Sequence, residues 1–547
     1  MEPELSYRGQ RGHHSVEASS EAPDVRDASQ LFDASAWLVL LAGLACVLAT
    51  FRSYGLAWDG QGETVFGGLL LKYYTSFFRD HSAFGFVNFR YYGGGFELPA
   101  AILVRISPFG PYETRHLFGG LCGLLGLWAT WRIARRIGGP RAGALATLLL
   151  GLNPTWYGHA FINARDVPFG SGMACCLLLS LQMMDELPTI RWRTRVLFGL
   201  ALGWTVSVRV GGVLALVFLA VALGLALFAR ARAADGGGVR EAVRVAGALV
   251  PSGAVAYAVI GVFWPWAVQS PLNPLRALLM FSDFPFDASV LFDGRLIPAR
   301  DLPGSYLPMQ FALRQPESLL IGIAIALVCA AVFAQRPRRL LTAKAQPIVA
   351  VAFAALFPVL YSIAVRPVDY NGMRHFLFVV PPLSVLAALA FDRLFSAAGA
   401  ASLQVALALT LAAIFALQVR AMIALHPDQY VYFNDLSGGP RSAQGRYELD
   451  YWGTSLAEAT RRFTRELEHR DAVPEPGAPP FKVYVCGNVW SAATFFPRWL
   501  VPVERIEDAD FQIAIANFFC RHPTGSRPVL EVDRAGALLS YVEDLRR

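Results

Sequence analysis

The residues best placed to do chemistry are acids at the edges of apolar runs. "GLAWDGQGETVFGG", residues 55 to 68, follows directly on one such run, and Asp59 and Glu63 are the first acids after it. A carboxylate at a polar–apolar boundary can act as a general base, because partial desolvation raises its basicity. The same stretch also suits a solvated acid or a helix cap, since "DGQGE" precedes an amphipathic segment and acids favour helix starts. A second acidic turn, "WYGHAFINARDVPFG" at 156 to 170, groups Asn163, Arg165 and Asp166 just ahead of Pro168. An Asp two residues before a proline suits a helix N-terminus. Three polar groups in a short membrane turn are nevertheless costly to bury, and they invite pairing with a ligand, an ion or a partner loop.

The elements that must position these acids are membrane spans. The chain has 547 residues, 55% hydrophobic and 16% charged, with apolar stretches near the ~20 residues a bilayer core requires. The spans fall near 35–52, 116–134, 142–157, 168–184, 195–208, 211–229, 245–267, 317–334, 347–365, 374–391 and 401–421, about eleven crossings. The pair around "SVRVGG" reads either as a tight turn at Arg209 or as a break within one longer hairpin. Residues 1–34 are polar, lack an apolar leader and read as a disordered cytoplasmic tail. With that tail inside, the inner loops hold sixteen basic residues, whereas the short outer connections hold only Arg165, Arg209, Arg366 and Arg374. This asymmetry fixes orientation, and it assigns the net charge of +7 to membrane loops rather than to nucleic-acid binding.

Three long segments then lie outside: 53–115, 268–316 and 422–547. Seven of the nine histidines, His159 and His375 among them, fall on or near that face, without zinc-ligand spacing. "YYGGG" at 91–95 reads as a hinge, because it lacks the lysine and the strand–turn–helix setting of a phosphate-binding loop. The loop 268–316 reads equally as a mobile acceptor loop and as turns returning the chain to the membrane. Beyond 422 the composition is that of a small α/β domain. "SLAEATRRFTRELEHR" forms an amphipathic helix with a Ser455–Glu458 capping box, and "FKVYVCG", "FQIAIANF" and "PVLEV" form short strands. "YELDYWG" sits at the entrance of this domain and reads first as packing against the membrane part, with facing the active site as the alternative. Cys486 and Cys520 could form a disulfide in an oxidising exterior.

"WDGQGE", "HAFINARDVPF", "YNGMRHFLFVVPPL", "HPDQYVYFNDLSGG" and "GRYELDYWGTSLAEA" together resemble the GT-C glycosyltransferases. Within that superfamily they look closest to the family 39-like, lipid-carrier-dependent enzymes, related to protein mannosyltransferases and lipid A aminoarabinose transferases. The resemblance implies an α-helical polytopic membrane protein of GT-C fold with a small α/β extramembrane domain. It implies inverting transfer of a sugar from a polyprenyl-phosphate donor to a lipid, glycan or protein acceptor, with membrane lipids as surroundings and no nucleic-acid partner. By position Asp59 is the base. Asp166 lies near the donor phosphate, often through a divalent cation, with magnesium or manganese as the candidate cofactor. Many relatives carry adjacent Asp-Glu where this chain has Gly60, and its Glu63, four residues after Asp59, is with Asp166 the metal- or donor-binding candidate.

The departing polyprenyl phosphate gains negative charge, which calls for flanking cations. Arg374, with His375 beside it, and Arg209 are the candidates, because guanidinium binds phosphate oxygens bidentately while staying charged; snorkelling to headgroups is the competing role. Arg165, His159 and Asn163 are accessory candidates. An Ala-, Arg- and Gly-rich composition suggests a bacterial inner membrane with the site facing the periplasm. The reading from another class is a carrier or flippase, or a non-catalytic binding homologue, that recognises a polyprenyl-linked substrate without chemistry. A transporter would place polar groups at the midplane between inverted repeats, whereas here they collect on one face.

Overall fold

The computed structural model describes residues 23–233, 238–282, 284, 286–335 and 342–546. Most of the expected tail, with His13 and His14, and the inner-loop residues Arg336, Arg338 and Arg339 lie outside them. Nine helical segments among the described residues are long and apolar enough to cross a membrane. The helices are α1 (Pro23–Thr50), α2 (Gly60–Thr75), α3 (Glu97–Ile106), α4 (Pro111–Gly138), α5 (Pro140–Gly151), α6 (Pro154–Ile162), α7 (Asp166–Asp185), α8 (Trp192–Val208), α9 (Leu214–Ala233), α10 (Gly238–Phe263), α11 (Tyr306–Arg314), α12 (Glu317–Ala334), α13 (Gln346–Val365), α14 (Val380–Ala397), α15 (Ala401–Ala424) and α16 (Ser455–His469). Helix α1 begins at Pro23, so residues 23–34, expected within the disordered tail, are already helical: they continue without a breaker into the apolar run.

Two expected spans fall short by length alone, for identifiable reasons. Pro154 cannot continue α5, and Asn153 caps the new helix α6 by accepting the Trp156 N–H at 3.0 Å. Helix α8 has 17 residues. Both nevertheless traverse the same layer as their neighbours. At one end of α5, Arg141 Nε meets Asp392 Oδ1 at 2.6 Å, near the C-terminus of α14. Past the far end of α6, Asp166 meets Arg374, just ahead of α14. Likewise Thr194 at the start of α8 donates to Glu186 just past α7, while Arg209 at its end reaches Asp166 at the start of α7. The "SVRVGG" stretch is therefore a tight turn, with Arg209 extended and Val210–Val213 a 3-10 turn.

Small residues let the spans approach closely, as membrane helices require: a Cβ on Gly119 would lie 2.2 Å from the Ala160 carbonyl oxygen. The loop 268–316 forms a hairpin of β1 (Ser289–Phe292) and β2 (Arg295–Pro298), followed by α11. The C-terminal domain is a five-stranded mixed sheet, β3 (Phe481–Cys486), β4 (Leu500–Val503), β5 (Phe511–Ile515), β6 (Arg527–Arg534) and β7 (Ala537–Asp544), in the order β4-β3-β5-β7-β6. Helix α16 covers it through Leu456, Phe463 and Leu467, and Cys486 is joined to Cys520. The expected capping box is absent. Ser455 Oγ donates to Asp450 at 2.5 Å, and Glu458 engages Arg534, so tertiary partners displace the local motif.

Candidate active site

Asp166 is the hub on which three separated segments converge. Asn163 Oδ1 accepts the backbone N–H groups of Arg165 and Asp166 at 2.9 and 2.8 Å, so Asn163 supports the helix start and leaves the Asp166 carboxylate unspent. Asn163 Nδ2 also donates to that carboxylate. Arg209, from the extended residue after α8, reaches Asp166 Oδ1 at 2.9 Å, and Arg374, opening the 3-10 turn before α14, reaches Oδ2 at 3.3 Å. A buried carboxylate thus faces two guanidinium groups.

The arginines are held by aromatic planes. Arg374 lies 4.8 Å from the Tyr370 ring and 4.9 Å from the Trp452 ring, while Arg165 lies 3.8 Å from Tyr92 and 5.0 Å from Phe89. Stacking leaves the guanidinium edges free to donate. Arg374 Nε and Arg165 Nη2 are buried and have no acceptor among the described residues. Buried donors are rarely left unmade.

Glu63 has a different setting from Asp59. Its carboxylate is buried between Arg115 (3.3 Å) and Arg165 (3.3 Å), and Arg115 also binds Glu97 at 2.6 Å. Burial pushes Glu63 up, against the pull of Arg165. Two acids and two arginines therefore form a closed quartet in which Glu63 is an internal counter-charge. Asp59 is exposed, its side chain makes no cap to α2, and its carboxylate has no hydrogen-bond or ion-pair partner among the described residues. The cap expected from "DGQGE" does not form, and the boundary position expected to desolvate Asp59 leaves it in solvent. Its position is set by Trp58, whose N–H donates to the Trp452 carbonyl at 3.0 Å and whose carbonyl accepts from Asn488. From there the carboxylate lies within electrostatic reach of Arg165 and Arg374.

The two histidines support neighbours. His159 Nδ1 donates to the Thr155 carbonyl at 2.8 Å, which leaves Nε2 to accept from the Tyr451 hydroxyl at 2.9 Å. His375 Nδ1 turns to Asp369 Oδ1 at 3.1 Å. The acids expected to hold a divalent cation already face guanidinium groups. Asp166 is already matched by two cations, Glu63 by two more, and no three His, Cys, Asp or Glu side chains come together as ligands among the described residues. On the same charge argument, a chelator is expected to leave transfer unchanged, read by running the reaction with and without EDTA.

Several site residues escape sequence reasoning. Tyr92, Tyr370 and Trp452 are the aromatic walls, and "YELDYWG" faces the site as well as packing. Its Asp450 accepts from Tyr430, Ser455 and the Thr454 N–H, Thr454 Oγ1 donates to Asp428 at 2.8 Å, and Arg534 of β6 pairs with Asp428 at 3.1 Å. The sheet domain thereby holds Tyr451 and Trp452 against the spans. Burial pushes Glu448, in the same segment, up to about 7. Across the mouth, Phe286 of the 268–316 loop stacks 3.8 Å from Tyr370.

The signal that could have located Tyr92 is "YYGGG", whose glycines are clamps rather than a hinge. Gly95 N–H donates to the Ser207 carbonyl at 2.8 Å, and a Cβ on Gly93 would sit 1.8 Å from that same oxygen. Gly93→Ala is expected to cost about 1–3 kcal/mol or more through overpacking. It should also weaken donor binding as Tyr92 leaves Arg165, both read by thermal denaturation with and without donor.

Among curated proteins none matches this sequence. The fold is similar to ArnT from Cupriavidus metallidurans bound to undecaprenyl phosphate, at 15% identity and a TM-score of 0.45 over 95% of this chain and 98% of that one. It is also similar to the Archaeoglobus fulgidus oligosaccharyltransferase tethered with an acceptor peptide, at 13% identity and a TM-score of 0.47 over 87% of this chain and 64% of that one. Residues 109–235 match the family model of the dolichyl-phosphate-mannose-protein mannosyltransferases. That match relates this part of the chain, Asp166 and Arg209 included, to glycosyltransferases that draw on a lipid-linked sugar.

Proposed function

We propose that this protein is an inverting glycosyltransferase that moves a sugar from a polyprenyl-phosphate donor to a hydroxyl-bearing lipid, glycan or protein acceptor. The active site would open on the outer face of a bacterial inner membrane. The observation that carries the reading is the pair of buried, unaccepted guanidinium N–H groups, on Arg374 and Arg165, flanking the Asp166–Arg209 pair. The exposed Asp59 carboxylate lies within electrostatic reach of both.

In this reading Asp59 accepts the proton of the acceptor hydroxyl as its oxygen bonds to the anomeric carbon. The bond from that carbon to the phosphate oxygen breaks on the opposite side, and its electron pair departs on the phosphate. Arg374, Arg165 and Arg209 stabilise the charge that grows there, which is where fixed donors contribute most to rate. Asp166 keeps Arg209 and Arg374 converged, so that they need not reorganise during the step. The stacked rings of Tyr92, Tyr370 and Trp452 keep the guanidinium planes dry and oriented.

The test is transfer of radiolabelled sugar from synthetic polyprenyl-phosphate donors to a membrane extract by the intact protein, with the anomeric configuration of the product read by NMR. Release of polyprenyl phosphate with inversion supports the proposal. Donor bound across a broad panel but never consumed, in extracts that contain competent acceptors, would turn the assignment to a carrier or a non-catalytic binder.

A further inference from the structure

A cavity of about 430 Å³ lies at the opposite end of the bundle from Asp166. It is walled by the C-terminal halves of α4 and α7 and the N-terminal half of α8, and its size falls in the range of small-ligand sites. One part of the lining is apolar: Trp128, Leu178, Leu179, Leu197 and Ala201. Trp128 and Leu197 are exposed at 36% and 51%, so the groove opens sideways from the bundle toward lipid.

The other part is cationic, from Arg132, Arg135 and Arg136 of α4. Two of these charges are matched. Arg135 makes a two-pronged pair with Asp33 at 2.6 Å on each arm, and Arg136 pairs with Asp185. Arg132 is exposed and pairs with no carboxylate among the described residues; it lies 5.7 Å from the Trp131 ring. The rim therefore carries one uncompensated guanidinium directly above an apolar trough, an arrangement complementary to an anionic head on an acyl chain.

We propose that this groove is a binding site for an anionic glycerophospholipid, with its phosphate on Arg132 and one acyl chain along Trp128, Leu178, Leu179 and Leu197. Basic pockets between spans near a membrane surface bind anionic headgroups, each arginine contributing about fivefold in affinity. The site does not depend on the transfer reaction: it shares no residue with the Asp166 cluster and lies at the other end of α7.

The test is native mass spectrometry of the full chain in detergent, titrated in parallel with phosphatidylglycerol, phosphatidylcholine, undecaprenyl phosphate and inorganic phosphate. Retained phosphatidylglycerol adducts, weakened about fivefold by Arg132→Gln and removed by Ala201→Trp, which fills the trough, are expected. Equal retention of phosphatidylcholine, or adducts indifferent to both substitutions, would overturn the site. Preferential retention of undecaprenyl phosphate or of inorganic phosphate alone would overturn the occupant. Both substitutions lie away from the candidate active site, so sugar transfer by the variants reports separately on folding.

Discussion

Asp59→Asn is expected to lower the rate of sugar transfer by about 10²–10⁴, the range a positioned general base contributes, while donor binding and thermal stability stay close to those of the parent. Asparagine keeps the size and the hydrogen-bonding oxygen but cannot take the acceptor's proton. Stability should hold because Asp59 is exposed and has no side-chain partner among the described residues, and surface changes of that kind stay within about 0.5 kcal/mol. Glu63→Gln serves as the contrast. Glu63 neutralises Arg115 and Arg165 in a buried quartet, so its loss should lower the melting midpoint before it alters chemistry. If Asp59→Asn transfers sugar at the parental rate, the base is not Asp59, and the acceptor must lose its proton to another group.

Asp166→Ala is expected to destabilise the protein by about 3–5 kcal/mol, because removing one partner of a buried pair strands the other charge. Here two charges are stranded: Arg374, whose side chain is 7% exposed, and Arg209, at 20%. The sign of ligand linkage makes the experiment specific. A phosphate monoester supplies the missing negative charge, so polyprenyl phosphate should raise the melting midpoint of Asp166→Ala by more than it raises that of the parent; at a hundredfold excess over its dissociation constant a ligand adds about 2.7 kcal/mol. A generic packing defect would lower the midpoint equally with and without phosphate. A variant that melts with the parent would remove Asp166 from the centre of the cluster.

Much of this site was legible in the sequence because its signals are local. Asp59, Asp166, Arg209 and Arg374 each sit where an apolar run meets a polar turn, and run length with basic-residue asymmetry suffices to put such turns on one face. Which charge meets which was not legible. The Arg209–Asp166 contact exists only because α8 runs back along the whole length of α7, and the Arg374–Trp452 stack only because the sheet domain presses its entrance loop onto the spans. Glycine misled for the same reason. In "YYGGG" the missing side chains make room for the Ser207 carbonyl rather than for bending, a use that no window of neighbours reveals. The Ser455–Glu458 motif failed in the opposite direction, since a strong local pattern yielded to Asp450 and Arg534 once distant segments met. Strand β4 was missed because a four-residue edge strand carries little pattern of its own, and β7 because burial on both faces removes the alternation that marks a strand.

The unequal matching around Asp166, one carboxylate to two guanidinium groups, also bears on how the catalytic cycle ends. On the proposed chemistry the donor enters as a phosphodiester with a single negative charge and leaves its carrier behind as a monoester with up to two. At Asp166 itself two guanidinium groups face one carboxylate, so that end of the pocket grips the spent carrier more tightly than the loaded one. Turnover is then governed by departure of the bare lipid phosphate, and an accumulating pool of that lipid throttles the enzyme that produced it.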